Sequence, residues 1–520
     1  MSFRLPIRRL RYHVSSLCTG FIQSLLPCTV RSLITIGGPC RASLEASPCE
    51  HRQDPVTINT LPDHVLVEIF HFYMIMEEWS FEMNEWHTLV HACQRWRRVM
   101  FASPRRLNLR LWYAGKRPMS EMLDVWPVLP VAVGNNSAFD QSSSWENIAV
   151  ALESEHRHRI CQIQLWSIPT SEWERLAAAM QNPFPKLTHL WLFTGYDTVT
   201  SLPDSFLGGS APLLRFLRLE NCPFPGLPKV LLSSNQLVTL FLFNIPNSGY
   251  ISLQDLVTAL SVLSRLEFLR LEFRSSRYPA RPPPPLTRSV LPALTTLYFH
   301  GVHEYLEDLL AQIEVPLLEV LDVAFSMDIN FVLPQFHRLI SQVESFNSCD
   351  RATVHIHDFI IQFQIFTGTN TLPELKLEIR CIKLDWQLAS LAQICSSSFP
   401  FLSTLVHLDI MDFGFQPHWT DDMETTQWLE LLAPFTAMKD LHLTHQVAPH
   451  VCQALEELAG ERVTEILPAL QNIFLEGHKS LGSVPKYIEG FVATRNLSGH
   501  PVAVHRWDIG RGIDDELLPI

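Results

Sequence analysis

One pattern constrains this chain more than any other. Apolar residues spaced L-x-x-L-x-L, with other apolar types allowed, recur eleven times between Ile160 and Leu475. They fall at Ile160/Ile163/Leu165, Leu187/Leu190/Leu192, Leu214/Leu217/Leu219, Leu237/Leu240/Leu242, Leu266/Leu269/Leu271, Leu294/Leu297/Phe299 and Leu318/Leu321/Val323, then at Leu372/Leu375/Leu377, Leu405/Leu408/Ile410, Met438/Leu441/Leu443 and Leu470/Ile473/Leu475. The starting positions advance by 27, 27, 23, 29, 28 and 24 residues, then by 54, then by 33, 33 and 32. The gap of 54 equals two repeats of 27, so a degraded unit is expected there, with Val354 and Ile356 as its strand. The last two apolar positions of each trio share one face of a short strand. Amphipathic helical stretches lie between the trios. Ser171 with Glu174 reads as a capping box opening a helix through Leu176, Ala177 and Met180, and Ser252 with Asp255 opens one through Leu256, Val257, Leu260 and Leu263. A third stretch holds Trp428, Leu429, Leu431 and Leu432. A strand and a helix per unit bury their leucines only against neighbouring units. The expected fold class is therefore α/β: a solenoid with a curved parallel sheet and helices on the convex side.

The segment before the repeats has a different period. Thr60 is placed to cap a helix with Pro62 in its first turn and Asp63 three residues after the cap, followed by Val65, Leu66, Ile69, Phe70 and Tyr73 at helical spacing. A second helix is predicted through Trp86, Leu89, Val90, Cys93 and Trp96, ending in Arg95, Arg97 and Arg98 and stopped by Ser103-Pro104. Residues 55–104 thus form a small helical module, 105–158 a mixed linker whose Gly134–Ser144 stretch is a loop, and 159–520 the repeat domain with a C-terminal cap. Residues 1–54 read as an Arg-rich, disordered arm.

The helical module resembles the F-box. The matching residues are Leu61-Pro62, Val65, Leu66, Ile69-Phe70, Leu89, Val90, Cys93, Trp96-Arg97 and Ser103-Pro104. An insertion at His71–Glu85 lengthens the middle of the motif relative to the usual module. The repeats are similar to leucine-rich repeats but depart from their standard form. The Asn or Cys expected three residues after the third leucine is met by Cys222, while Gly195, Ile245 and Arg274 stand at other such positions, so an asparagine ladder is not expected. The order of the two parts is similar to that in the large F-box families of mushroom-forming fungi. The resemblance implies a non-catalytic substrate receptor: a Skp-type adaptor would bind Leu61, Pro62, Ile69, Phe70, Leu89, Val90, Cys93 and Trp96. Through the adaptor it implies a cullin and a RING protein, with the repeat domain recruiting a protein substrate. The alternative is a leucine-rich scaffold that does not engage the ubiquitin machinery.

Composition narrows the partners. With a net charge of −13 and no basic stripe in the body, the chain lacks the footprint of a nucleic-acid binder. Apolar stretches such as Phe21–Leu26 are too short to span a bilayer, so no membrane partner is expected. Eleven scattered cysteines read as reduced thiols of a cytoplasmic or nuclear protein. The first 44 residues carry six arginines and no acid, the composition of a mitochondrial transit peptide as well as of a loose arm or a start codon placed too far upstream. The run at Pro279–Pro285 must be extended: a stiff connector, or a ligand for a proline-reading domain.

Chemistry-bearing constellations are few. His87 and His91 have the i, i+4 spacing of zinc proteases, but Thr88 stands where the general base should be. His355 and His357 share a strand face beside Asp358 without an evident further ligand. No phosphate loop or nucleophile elbow occurs, so no cofactor, metal or catalytic residue is expected. The residues between the last two apolar positions of each strand point away from the core: Trp191, Arg218, Phe241, Arg270 and Tyr298, then Asp322, Lys376, Asp409, His442 and Phe474. The first five are aromatic or arginine, the types enriched at binding hot spots and also those that stack along a sheet. They form the candidate substrate face.

Overall fold

The computed structural model describes residues 60–75, 86–125, 128–135, 144–195, 201–222, 227–246, 251–274, 288–326, 332–368, 373–381, 384–413, 425–458, 462–476 and 485–507. The Arg-rich arm, the proline run, Leu372 and the side chain of His87 lie outside the described residues. The chain divides into two compact units, one comprising residues up to Tyr113 with Ser120–Ala132, the other Ala114–Met119 with Val133 onward.

The first unit holds α1 (Asp63–Ile75), α2 (Trp86–Ala92), α3 (Gln94–Ala102) and β1 (Leu111–Tyr113). The chain passes between the units within α4 (Met119–Val125) and β2 (Val131–Gly134). Thr60 is not the cap of α1. The helix starts at Asp63, and the Pro62 carbonyl accepts from Val65 N at 3.0 Å and Leu66 N at 3.1 Å. The second predicted helix is two helices. Cys93 is extended (φ −160°, ψ 168°), and its Sγ accepts from Trp96 N at 3.4 Å, so a cysteine ends one helix and caps the next. Phe70 packs edge-on against Trp96 with centroids 5.0 Å apart, and Trp86 against Phe101 at 6.0 Å. Arg95 bonds Asp63 at 2.7 Å and the Leu61 carbonyl, which fixes the entry to α1.

The second unit begins with α5 (Trp145–Glu153), β3 (Ile160–Ile168), α6 (Thr170–Ala179), β4 (His189–Thr194), β5 (Phe216–Glu220), α7 (Leu227–Ser233), β6 (Thr239–Ile245), α8 (Leu253–Leu260) and β7 (Phe268–Phe273). It continues with β8 (Ser289–Val290), β9 (Thr296–Gly301), α9 (His303–Leu310), β10 (Ile313–Glu314), β11 (Val320–Ser326), α10 (Pro334–Gln342) and α11 (Glu344–Asn347). Then come β12 (Arg351–His357), β13 (Ile360–Phe366), β14 (Leu375–Arg380), α12 (Leu384–Ser398), β15 (His407–Asp412), α13 (Thr425–Leu432), β16 (Asp440–Leu443), α14 (Ala448–Glu456), β17 (Asn472–Glu476), α15 (Glu489–Leu497) and β18 (Ala503–Trp507). Ser171 lies inside α6, whose N-cap is Pro169 without a side-chain cap, so that capping box is not formed. Ser252 does cap α8: its Oγ accepts from Asp255 N at 3.1 Å and donates to the Asp255 carboxylate at 2.6 Å, although the carboxylate bonds the hydroxyl and not the Ser252 backbone N–H of a full capping box.

From β3 the sheet runs β3-β4-β5-β6-β7-β9-β11-β14-β13-β12-β15-β16-β17-β18. Strands β3 to β11 pair in parallel, each trio in register with the next: Ile163, Leu190, Leu217, Leu240, Leu269, Leu297 and Leu321 form one row. Every member of that row is 0% exposed. This is a leucine-rich-repeat-type solenoid, built by short parallel strands and intervening helices whose apolar sides close on the same core.

The 54-residue gap is not two repeats. Strands β12, β13 and β14 form an antiparallel meander whose order in the sheet is reversed, so β14 lies parallel beside β11 and β12 parallel beside β15. Val354 and Ile356 are indeed a strand, β12, but not the strand of a repeat between β11 and β14.

Two helix starts are closed by a carboxylate from the preceding helix. Glu307 of α9 is buried and accepts from Gln335 N and Phe336 N of α10, both at 2.8 Å. Glu456 of α14 accepts from Phe491 N of α15 at 2.7 Å, and a Cβ on Gly490 would collide with that carboxylate. At the C-terminal end Arg495 is 0% exposed and donates to the carbonyls of Val463, Leu467, Pro468 and Leu470 at 3.0–3.4 Å.

Candidate functional site

Successive residues of a strand face opposite sides, so the positions between the buried leucines form rows on the other face of the sheet. One row, followed through the registers, is Gln164, Trp191, Arg218, Phe241, Arg270, Tyr298 and Asp322, then Lys376, Gln364, Thr353 and Asp409, then His442, Phe474 and His505. All ten residues expected from the spacing stand in it. They are not equally accessible. Trp191 is only 5% exposed because Trp166 lies over it, ring centroids 3.8 Å apart, so Trp191 supports the face and does not present itself to a partner. Phe474 and Asp409 are buried as well.

The next row along the strands supplies what the sequence reading left out: Glu220, Phe243, Glu272 and His300, the residues that follow the third apolar position of each trio. Arg218 stacks between Trp191 (4.2 Å) and Phe243 (4.5 Å) and pairs with Glu220 at 3.1 Å. Arg270 stacks between Phe243 (4.0 Å) and Tyr298 (5.4 Å) and pairs with Glu272 at 3.1 Å. His300 lies 3.6 Å from Glu272. Burial pushes the Glu272 carboxyl up, but the hydrogen bonds and charges of His300 and Arg270 outweigh it and hold the group below its usual range. Burial also lowers the Arg218 guanidinium, with Glu220 opposing. Binding and stacking are therefore not exclusive: the stack holds two guanidiniums in fixed, half-buried positions.

Beyond Asp322 the face turns polar. Lys376 lies 3.7 Å from Asp322 and 3.5 Å from Glu378, which also binds Gln362 at 2.9 Å and Arg380. Asp409, 1% exposed, holds Arg351 at 2.6 Å and His442 at 2.9 Å. Its burial raises the carboxyl, and the hydrogen bonds and charge interactions with His442 and Arg351 overcome that and hold it low. His355 and His357 share the face with ring centroids 6.4 Å apart, and Phe413 packs against both at 5.1 and 5.6 Å. Burial, with the charge of His357 second, pushes His355 down to about 4. Among the described residues no group of three or more His, Cys, Asp or Glu side chains is placed to hold a metal ion.

In the first unit the motif residues split. Phe70 and Val90 are 1% exposed and Trp96 is 5% exposed, so these three hold the helices together instead of waiting for a partner. Leu61, Val65, Ile69 and Leu89 are half-buried, and Pro62 and Cys93 are exposed. No helix among the described residues is long and apolar enough to cross a membrane.

No protein-family profile matches the chain, and no curated protein matches it. Among solved structures, a leucine-rich repeat-containing protein from Legionella pneumophila, LegL7, aligns over 75% of this chain and 97% of its own at 14% identity, with a TM-score of 0.27. That likeness is distant, and the repeat architecture rests on the strand registers.

Proposed function

We propose that this chain is a non-catalytic substrate receptor of a Skp–cullin–F-box-type ubiquitin ligase. The first unit engages a Skp-type adaptor, which brings in cullin and RING partners. The strand face of the second unit holds a protein substrate. Such a receptor works by proximity, raising the concentration of the substrate beside the ubiquitin-loaded partner. The observation that supports this most is the division within the helical module. The F-box-like residues Leu61 and Pro62, just ahead of α1, and Val65, Ile69 and Leu89 remain accessible on helices whose core is already closed by Phe70, Val90 and Trp96. Accessible apolar residues set beside polar ones are what a partner surface requires.

The test is co-expression with a Skp-type adaptor and purification through the adaptor. Ile69→Ala combined with Leu89→Ala should abolish co-purification with the melting temperature of the repeat unit unchanged. Retention of the adaptor by that variant refutes the assignment of the first unit and leaves a leucine-rich scaffold outside the ubiquitin machinery. Phe70→Ala is the control: it should unfold the module, which is a different outcome from a folded protein that no longer binds.

A further inference from the structure

The aromatic part of the strand face has a spacing of its own. In the row Phe216, Thr239, Phe268 and Thr296, aromatics stand on β5 and β7. In the adjacent row Arg218, Phe241, Arg270 and Tyr298, they stand on β6 and β9. Within these two rows the aromatics zigzag across β5, β6, β7 and β9, with a guanidinium beside each Phe of the first row, and β6 carries a further ring, Phe243, between the two guanidiniums. Phe216 and Phe241 are 5.9 Å apart at a right angle, and Phe241 and Phe243 are 6.1 Å apart. Phe216, Phe241, Phe243, Phe268 and Tyr298 are all half-buried, so each offers part of a ring to solvent.

Along either row the aromatics recur every second strand, which is about 9.6 Å at the usual strand separation. A polyproline II helix repeats every three residues, about 9.3 Å. An extended proline-rich segment laid across the strands thus meets an aromatic ring at each turn.

Charge and hydrogen-bond chemistry select the same partner. Each guanidinium is closed by a glutamate two residues on, at 3.1 Å, so the patch presents no net cation to an acidic ligand and no free carboxylate to a basic one. What is left is donors at the guanidinium edges. Each guanidinium gives one N–H to its own glutamate, and although Arg218 Nε is buried, terminal N–H groups remain on each. A proline run offers carbonyl acceptors and no N–H donors. A strand-forming partner would instead bring backbone N–H donors, which guanidinium edges cannot accept.

We propose that the face over β5–β9 is the docking platform of an uncharged, proline-rich segment in the polyproline II conformation. This rests on the reading of the strand face as the partner-binding surface, and it is independent of adaptor engagement.

Fluorescence polarisation of the purified full chain with fluorescein-labelled decaproline tests it. A glycine-serine peptide of equal length, a phosphoserine peptide and a lysine-rich peptide serve as comparison probes. Decaproline should bind saturably, with its affinity changed less than about twofold between low and high salt, because no net charge is neutralised. Phe241→Ala and Tyr298→Ala should each weaken it about tenfold, as loss of an aromatic anchor does. Phe359→Ala, an exposed aromatic in the turn between β12 and β13, should leave it unchanged. The proposal fails if decaproline does not bind, if the phosphoserine or lysine-rich probe binds tighter, or if both face variants keep full affinity with unchanged melting. Failure of the unsubstituted chain to co-purify with the adaptor, with decaproline binding intact, would sink the ligase reading and leave this one standing. The reverse result would do the opposite.

Discussion

Leu269 and Arg270 are neighbours in β7, and the register separates their roles in a way that two substitutions can measure. Leu269 is 0% exposed, between Leu240 and Leu297 on the adjoining strands. Truncating such a leucine to alanine costs about 2–5 kcal/mol, because the cavity only partly collapses. Arg270 has a 36% exposed side chain, one ion pair with Glu272, and stacking contacts to Phe243 and Tyr298 at 4.0 and 5.4 Å. A cation–π contact at this exposure contributes about 0.5–1 kcal/mol, and a part-exposed ion pair about 0.2–1 kcal/mol. Arg270→Ala should therefore cost about 1–2 kcal/mol, since His300 still faces the Glu272 carboxylate that is left behind. Urea unfolding followed by tryptophan fluorescence should place the Leu269→Ala midpoint clearly below that of Arg270→Ala, with both variants read on the same transition. Equal losses would mean that Arg270 sits in the core, and a one-residue slip in register would then overturn every assignment on the face.

Three further outcomes concern polar groups that are buried, Glu307 and Arg495, or half-buried, His355. Glu307→Ala should destabilise the second unit by about 2–4 kcal/mol, as one buried and one part-buried helix-start amide lose their acceptor, and Glu307→Gln should recover part of it in the same urea experiment. His355 is held down to about 4 by burial, so below the unfolded pKa of about 6.5 the unfolded chain binds a proton that the folded chain refuses. Stability from this group is complete above that value and falls as pH drops toward 4, by about 1–2 kcal/mol once solvent screening is allowed for; His355→Gln should flatten the urea midpoint between pH 7 and 5 relative to the parent, and an unchanged slope would refute the assignment. Arg495→Ala should cost about 3–5 kcal/mol, because four carbonyls lose their donor, and protection from hydrogen exchange should fall first around residues 463–470.

Legibility in the sequence followed the locality of the cause. The strand register was readable because alternation forces Leu217 and Leu219 to one side and Arg218 to the other, whatever the rest of the chain does. Ser252 was readable as a cap because its partner Asp255 is three residues away. Thr60 and Ser171 carried the same local signal, yet α1 starts after Pro62 and α6 starts at Thr170 with Pro169 ahead of it. The caps from Glu307 and Glu456 were hidden, since the acceptor comes from the previous helix, 28 to 35 residues away. The only trace was that α10 and α15 follow Leu333 and Ile488, neither of which can cap. Trp191 was misjudged for the same reason: its position faces away from the core, but the residue that covers it, Trp166, belongs to another strand. In the helical module, hydrophobic spacing identified Phe70, Val90 and Trp96 without saying which faced inward. Packing of α1 against α3 decides that, and spacing along one helix does not contain it.

The reversed meander shows why the repeat pattern fails at one place while the face does not. L-x-x-L-x-L describes a strand entered from a helix-side turn, and it presumes that every strand runs the same way. Strand β13 runs the other way, so Ile361, Phe363 and Ile365 obey alternation without obeying the motif. Alternation itself has no direction. The buried row passes from Leu321 through Leu375, Ile365 and Ala352 to Leu408 without a break. The outward row passes equally from Asp322 through Lys376, Gln364 and Thr353 to Asp409. A change of strand direction therefore costs the solenoid neither its core nor the continuity of its face. What changes is the chemistry. The aromatic and guanidinium pattern stops at Tyr298, and the strands at the reversal bring Lys376, Glu378, Arg380 and Gln362 into one closed polar network. The ring platform over β5–β9 lies on the N-terminal side of that network, and the reversal is its boundary.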